Sequence, residues 1–274
     1  MRKHYGKCAL CGIEGELTYE HIPPKAANNN HPVKAVVFNP AINPYQETIE
    51  QLPWDTGGMK YINQQKGHGM YTLCAQCNNN IGSWYASEYV LFSKIASEFV
   101  QESAFIPVGI VDVWGIHPLR IIKHVLSMFC SLNDNIHTKF DGYEERMQEL
   151  REFILDKNAK DLNKSHFRVE MYFTNSELKK TIGFSRKHEE TDIGQESIVL
   201  SEITKSPLGF VLYLDPTQTW DYPNIDITSF AEYEYDDVCD FRIPVLLREV
   251  NDIIPESYRS KAEIIKCYRE GKTR

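Results

Sequence analysis

The hydrophobic texture of the chain changes twice. Before Thr72 there is little periodicity, and Gly, Pro and Asn are frequent. Leu17-Thr18-Tyr19-Glu20-His21 reads as a short strand, ended by Pro23-Pro24 because neither proline donates to a ladder. Residues 25–70 read as loop-rich, with one strand candidate, Val33–Phe38, and turn signals at Asn39-Pro40, Asn43-Pro44 and Gly57-Gly58. The run Asn28-Asn29-Asn30 reads as a solvated loop. From about Asn79 to about Ser103, Trp84, Tyr85, Tyr89, Phe92, Ile95, Ala96 and Phe99 recur at helical steps. Such a wide aromatic stripe is a core-facing helix. Leu119–Leu132 is a second helix and Tyr143–Leu162 a third, the latter dense in acid–base pairs that form a solvated face.

Beyond Ser165 the pattern turns to strands. The candidates are Phe167–Thr174, Lys180–Ser185, Ser197–Ile203, Gly209–Leu214, Asp226–Tyr235 and Cys239–Leu247. Pro255 opens a short terminal helix. Pro107 and Gly109 mark a boundary, so two domains are expected, residues 1–104 and residues 105–274. The fold class is α+β: a small N-terminal unit, then helices, then a mostly antiparallel sheet.

Composition narrows the class. The chain has 274 residues, 42% hydrophobic and 25% charged, which suits a globular protein with a real core. No run of 18 apolar residues is present, so no membrane-spanning helix is expected. Met1-Arg2-Lys3-His4-Tyr5 is followed by no apolar stretch, so no ordinary signal peptide is expected. The net charge is −8. Residues 1–100 carry eight basic and eight acidic groups, whereas residues 101–274 carry 22 and 30, so the excess lies entirely in the second part. That argues against an autonomous, processive DNA binder, and leaves room for a metal-dependent phosphodiesterase site.

The cysteines add the chemistry. Of seven, four form two C-x-x-C pairs, Cys8/Cys11 and Cys74/Cys77. Each pair makes a knuckle that aims two thiolates at one point, and two knuckles supply the ligands of a closed tetrahedral zinc site. Cys130, Cys239 and Cys267 are isolated and read as buried or free thiols of a reducing cytoplasm. Between the pairs stands Glu20-His21-Ile22-Pro23-Pro24, and Asn78 follows the last ligand. Glu and Asn oxygens suit a hard divalent ion such as Mg²⁺ or Mn²⁺, and a neutral histidine beside it suits a general base.

These residues resemble the HNH, or ββα-metal, endonucleases, in particular their four-cysteine zinc subgroup. The likeness covers about the first hundred residues. It rests on Cys8-x-x-Cys11, on Glu20-His21-Ile22-Pro23 and on Leu73-Cys74-x-x-Cys77-Asn78-x-x-x-Gly82. It implies His21 as general base, Glu20 and Asn78 as ligands of the catalytic ion, and Cys8, Cys11, Cys74 and Cys77 as ligands of structural zinc. Two departures stand out. The family's central, loop-bracing Asn is missing from Lys66-Gly67-His68-Gly69-Met70-Tyr71-Thr72, where Asn63 is the nearest Asn and His68 a substitute. The segment from His21 to Cys74 is also long.

The expected activity is DNA hydrolysis by water activated at His21, with Mg²⁺ or Mn²⁺ held by Glu20 and Asn78. Lys25, Lys34, Lys60 and Lys66 are the candidates for backbone contacts. Two other readings share the residues: a zinc-organised subunit that binds nucleic acid or protein without catalysis, and an RNA-cleaving toxin. The acidic second domain carries no catalytic constellation and is expected to regulate, dimerise or bind a partner rather than the DNA backbone. An architecture of small nuclease plus accessory domain resembles effectors of bacterial anti-phage defence.

Overall fold

The computed structural model describes residues 3–36, 61–102, 108–134, 142–175, 179–191, 194–216 and 224–248. The first part runs β1 (His4–Lys7), β2 (Glu14–His21), β3 (Val33–Val36), β4 (Tyr61–Gln64), β5 (Gly69–Cys74) and α1 (Ala75–Ile81), a wider π-helical turn over Gly82–Ala86, and α2 (Ser87–Glu102). The rest runs β6 (Val108–Ile116), α3 (Pro118–Asn133), α4 (Tyr143–Leu155), β7 (Phe167–Thr174), β8 (Lys180–Thr191), β9 (Gly194–Lys205), β10 (Leu208–Leu214) and β11 (Ile225–Asp226), a 3₁₀ turn over Thr228–Glu232, and β12 (Cys239–Arg248).

β1, β2 and β5 form a small antiparallel sheet, and β3 pairs with β4. The large sheet has the order β6-β12-β7-β10-β9-β8, with β11 added to β7. β12 meets β7 in parallel, while the other described pairings in this sheet are antiparallel. The protein is thus mixed α+β with a mostly antiparallel sheet.

Helix α3 explains how the layers hold together. Pro118 opens it, where a missing N–H costs nothing, and its residues are buried nearly all round. It packs on α2 and α4 on one side and on β8 and β9 on the other. Asn133 at its end ties the helix to the sheet: Nδ2 donates to Ser201 Oγ (3.0 Å), and Oδ1 accepts from the Phe184 N–H (2.6 Å). Most buried apolar residues form one continuous set from Cys8 to Val245, and Tyr172, Ile198, Leu200, Val211 and Tyr213 form a second, smaller one. Polar bonds cross the same seam. Tyr85 donates to Ile154 O (2.8 Å), Arg151 Nε to Ala9 O (2.8 Å) and Tyr235 to Trp84 O (3.1 Å).

Several elements differ from the sequence pattern. The helix expected from about Asn79 begins at Ala75, because the second cysteine knuckle is itself its first turn. The third helix stops at Leu155 rather than Leu162. The region Asp226–Tyr235 is not a strand but a two-residue bridge followed by a 3₁₀ turn, in which Thr228 N–H is capped by Asp226 Oδ1 at 2.9 Å. β6 begins at Val108, beside the expected boundary, and its Gly109, lacking a side chain, admits the Phe99 ring. Cys267, Lys60, the far end of the Val33–Phe38 candidate and the terminal helix at Pro255 lie outside the described residues.

Candidate metal centre and catalytic site

The sulfurs of Cys8, Cys11, Cys74 and Cys77 lie within 4.8 Å of one another. Cys11 and Cys74 Sγ are 3.9 Å apart, close to the roughly 3.8 Å that two sulfurs span across a tetrahedral zinc with Zn–S of about 2.3 Å. The local chain explains the convergence. Cys8–Gly12 is a tight turn closed by Gly12 N–H to Cys8 O (2.9 Å), and Gly12 takes a positive φ of 72° that its lack of a Cβ permits. Cys74 ends β5 and caps α1, its Sγ accepting from Cys77 N–H at 3.5 Å. Cys74 N–H in turn donates to Cys8 Sγ at 3.3 Å. N–H groups aimed at sulfur favour the thiolate. The Cys8 thiol is held at about 4, first by its bond with Cys77 and then, against burial, by the amides of Cys74, Cys11 and Leu10. Cys77 is pushed the opposite way, first by Cys8. The donor set fits zinc. When bound, the ion allows all four sulfurs to be thiolates at once.

β2 carries the other candidates. On its inner face stand Thr18 and Glu20, two residues apart. The Thr18 hydroxyl donates to Leu73 O (2.9 Å), so its oxygen accepts from Asn78 Nδ2 (2.8 Å). This fixes the amide orientation, and Asn78 Oδ1 meets no donor among the described residues. Glu20 is buried, with 8% exposure, and no donor among the described residues meets its carboxyl. Burial pushes that carboxyl up to about 7. A buried carboxyl and an open amide oxygen fit a hard divalent ion.

His21 lies on the opposite, outer face. Its ring packs edge-on against Tyr19 with centroids 5.0 Å apart, in a row that continues through Tyr71 to a stacked His4. Its Nε2 is 3.0 Å from Lys66 O. Because a carbonyl only accepts, Nε2 carries the proton, and Nδ1 is the basic nitrogen of the neutral ring. The structure therefore joins Asn78 to the Glu20 face of β2 and places His21 on the other face at the strand's end.

Asn29 braces the loops that follow β2 and precede β5, and the reading of Asn28-Asn29-Asn30 as a solvated loop is corrected at its middle residue. Asn29 is fully buried. Its Nδ2 donates to Pro23 O (2.6 Å) and His68 O (2.7 Å), and its Oδ1 accepts from His68 N–H (2.9 Å). It clips the loop after β2 to the loop before β5. Gly67 makes the clip possible: its φ is 94°, and a Cβ there would meet Asn29 O at 2.0 Å. At Gly69 a Cβ would meet Glu20 O at 2.2 Å. His68 is not an exposed loop residue. Its Nδ1 bonds Gln64 Oε1 (2.8 Å), and its Nε2 lies 3.3 Å from Thr181 Oγ1 of the large sheet. A buried Asn inside a polar run gives no sequence signal, but the Gly67-His68-Gly69 pattern marks a close backbone approach.

Compared with family models, with curated proteins and with solved structures, the chain matches none. Among the described residues, no helix is long and apolar enough to cross a membrane.

Two predictions follow from this geometry. Cys74→Ala should lose the metal and the folded β1-β2-β5 sheet, because it removes both a ligand and the cap of α1. Metal analysis of protein purified without chelator should give one zinc per wild-type chain and none for the variant. Zinc-free wild type with an ordinary melting profile would refute the site. The second concerns Glu20. Its folded carboxyl titrates above its unfolded value, so the stabilising contribution of the protonated form is full below about pH 4 and is lost as pH rises through about 7. The loss is on the order of 3 kcal/mol. Glu20→Gln should melt higher than wild type at pH 8, with the gap shrinking by pH 5.5. Mn²⁺ should raise the pH 8 melting temperature of wild type and leave the variant unmoved. Parallel pH profiles, or equal Mn²⁺ shifts, would contradict it.

Proposed function

We propose that the protein is a metal-dependent endonuclease of the HNH type that hydrolyses phosphodiester bonds in DNA. The observation that carries this reading is a pair of oxygens that meet no donor among the described residues, the Glu20 carboxyl and Asn78 Oδ1, set near a four-cysteine cluster by the succession β2, β5, α1. Glu20 and Asn78 hold Mg²⁺ or Mn²⁺. The ion, when bound, supplies positive charge to the phosphodiester and its leaving oxygen. This reading requires His21, at the end of β2, to reach round the strand end to the Glu20 face, where its Nδ1 takes a proton from the attacking water; Lys66 O keeps the ring in the tautomer that can do so. Asn29 sets the loop that presents Lys66 O, and thereby orients His21.

The second half takes the regulatory, dimerising or partner-binding role. Edge strand β6 supports this, since it exposes Val108, Ile110 and Trp114 beside Leu246 of β12. A small nuclease with such an accessory half is similar in architecture to effectors of bacterial anti-phage defence, acting in the cytoplasm. A second reading also has an observation behind it. Asn78 and His21 each make a bond that simply packs the unit, as they would in a zinc-organised binding module without catalysis.

His21→Ala separates the two. Under the nuclease reading it should lower plasmid cleavage with Mg²⁺ or Mn²⁺ by about 10²–10⁴-fold while zinc content and melting temperature hold. Assays on single-stranded DNA and RNA alongside fix the substrate. Wild-type activity in His21→Ala would refute the assignment of the base, and a wild type inert on every substrate would favour the binding module.

A further inference from the structure

Two strands of the acidic second half reach the candidate site through neutral or basic side chains. Thr181, at the start of β8, reaches His68, and His68 O accepts from the N–H of Ile22, the residue after His21, at 3.0 Å. Lys205, at the end of β9, donates to Ala27 O (2.8 Å) in the same loop that Asn29 clips. Lys179 precedes β8 and is exposed. The large sheet therefore brings two lysines to the loops that carry His21. The N-terminal unit adds two more exposed lysines, Lys25 in the turn before Asn29 and Lys66, whose carbonyl holds His21.

Among the described residues, none of these four lysines is bonded to a carboxylate. Lys205 has a carbonyl as its partner, and Lys25, Lys66 and Lys179 form no ion pair among the described residues. Elsewhere the chain pairs its charges readily, as in Arg242 with Asp112, Arg146 with Asp215 and Arg120 with Asp236. Gathering like charge without a counter-charge is unfavourable, and the cost rises where water is excluded. Its mark is visible. Burial and then the positive charge of Lys179 hold both Lys205, at about 8, and His68 below their ordinary values. An anion laid across these groups would relieve the repulsion.

We infer that Lys179, backed by Lys205, joins Lys66 and Lys25 to form a phosphate-binding track for the nucleic-acid backbone, running from the large sheet to His21. This rests on the nuclease reading for its choice of anion and extends it: the second half contributes to substrate binding. It also reverses the expectation, drawn from net charge alone, that residues beyond about 105 stay clear of the DNA backbone. The mean charge of a half is a poor guide where a few unpaired cations are concentrated at one edge.

The test is fluorescence anisotropy with zinc-loaded full-length protein and a labelled 20-base-pair duplex, without added Mg²⁺ or Mn²⁺, titrated over salt. Lys179→Gln and the double variant Lys66→Gln/Lys179→Gln should bind about 3–10-fold more weakly per lysine removed at low salt. Their plots of log affinity against log salt should be shallower by about one unit per lysine. Both positions are exposed, so melting temperature and zinc content should match wild type. Lys164→Gln, which removes a lysine paired with Glu232, serves as control and should bind as wild type does. His21→Ala should bind normally whether or not it cleaves. Failure of the two readings is thus distinguishable. Weakened binding in the lysine variants with undiminished cleavage by His21→Ala leaves the track and removes the catalytic reading. Wild-type affinity and salt slope in the double variant, or no duplex binding by wild type at low salt, overturns the track.

Discussion

Everything at the N-terminal end depends on four sulfurs meeting at one point. Cys8 and Cys11 stand before β2, and Cys74 and Cys77 bridge β5 into α1, so the cluster closes a long loop at the corner where β2 also pairs with β5. A bound zinc ion turns that closure into a rigid corner. From it β2 and β5 run side by side, and α1 leaves with Asn78 already against Thr18. The oxygens of Glu20 and Asn78 are then placed by backbone geometry, before any substrate or catalytic ion arrives. Under the proposed nuclease reading, this is the preorganisation that hydrolysis requires.

The far end of β2 has no metal to hold it, and hydrogen bonds do that work. Asn29 satisfies three backbone groups with one side chain, at a position where Gly67 allows the chain to pass. His68 passes this constraint to β8 through Thr181, and Lys205 grips the same loop from β9. The outer end of the unit is therefore built jointly with the large sheet. The continuity of the buried core from Cys8 through α3 to the sheet strands agrees with this. A change in the sheet has a short mechanical route to His21, two hydrogen bonds long.

The sequence made some of this legible and hid the rest for physical reasons. Cysteine knuckles are local, so i, i+3 spacing reveals them without knowledge of the fold. Helices such as α3, β-rich runs such as β7 and β10, and the mixed class follow from periodicity and composition. The short strands β1 and β5 are hidden because four to six residues between turns carry too little pattern. β6 was hidden because Gly109, near its start, reads as a break in the pattern, while in the fold it makes room for Phe99. Asn29 was hidden because burial of a single amide within an asparagine run depends on contacts made with residues some forty positions away. Lys179 and Lys205, which meet no carboxylate among the described residues, were lost in an average charge that described their half of the chain but not its edge.

The central claim is that the cysteine cluster and the Glu20–Asn78 pair are two different metal sites on one small frame. A crystal structure of the zinc-loaded protein soaked in Mn²⁺, with anomalous data collected at both absorption edges, tests it directly. The account predicts a zinc peak at the centre of the four sulfurs, with Zn–S distances of about 2.3 Å. It also predicts a separate manganese peak touching the Glu20 carboxylate and Asn78 Oδ1. Manganese bound elsewhere with that face empty, or a cysteine cluster without zinc, would contradict it.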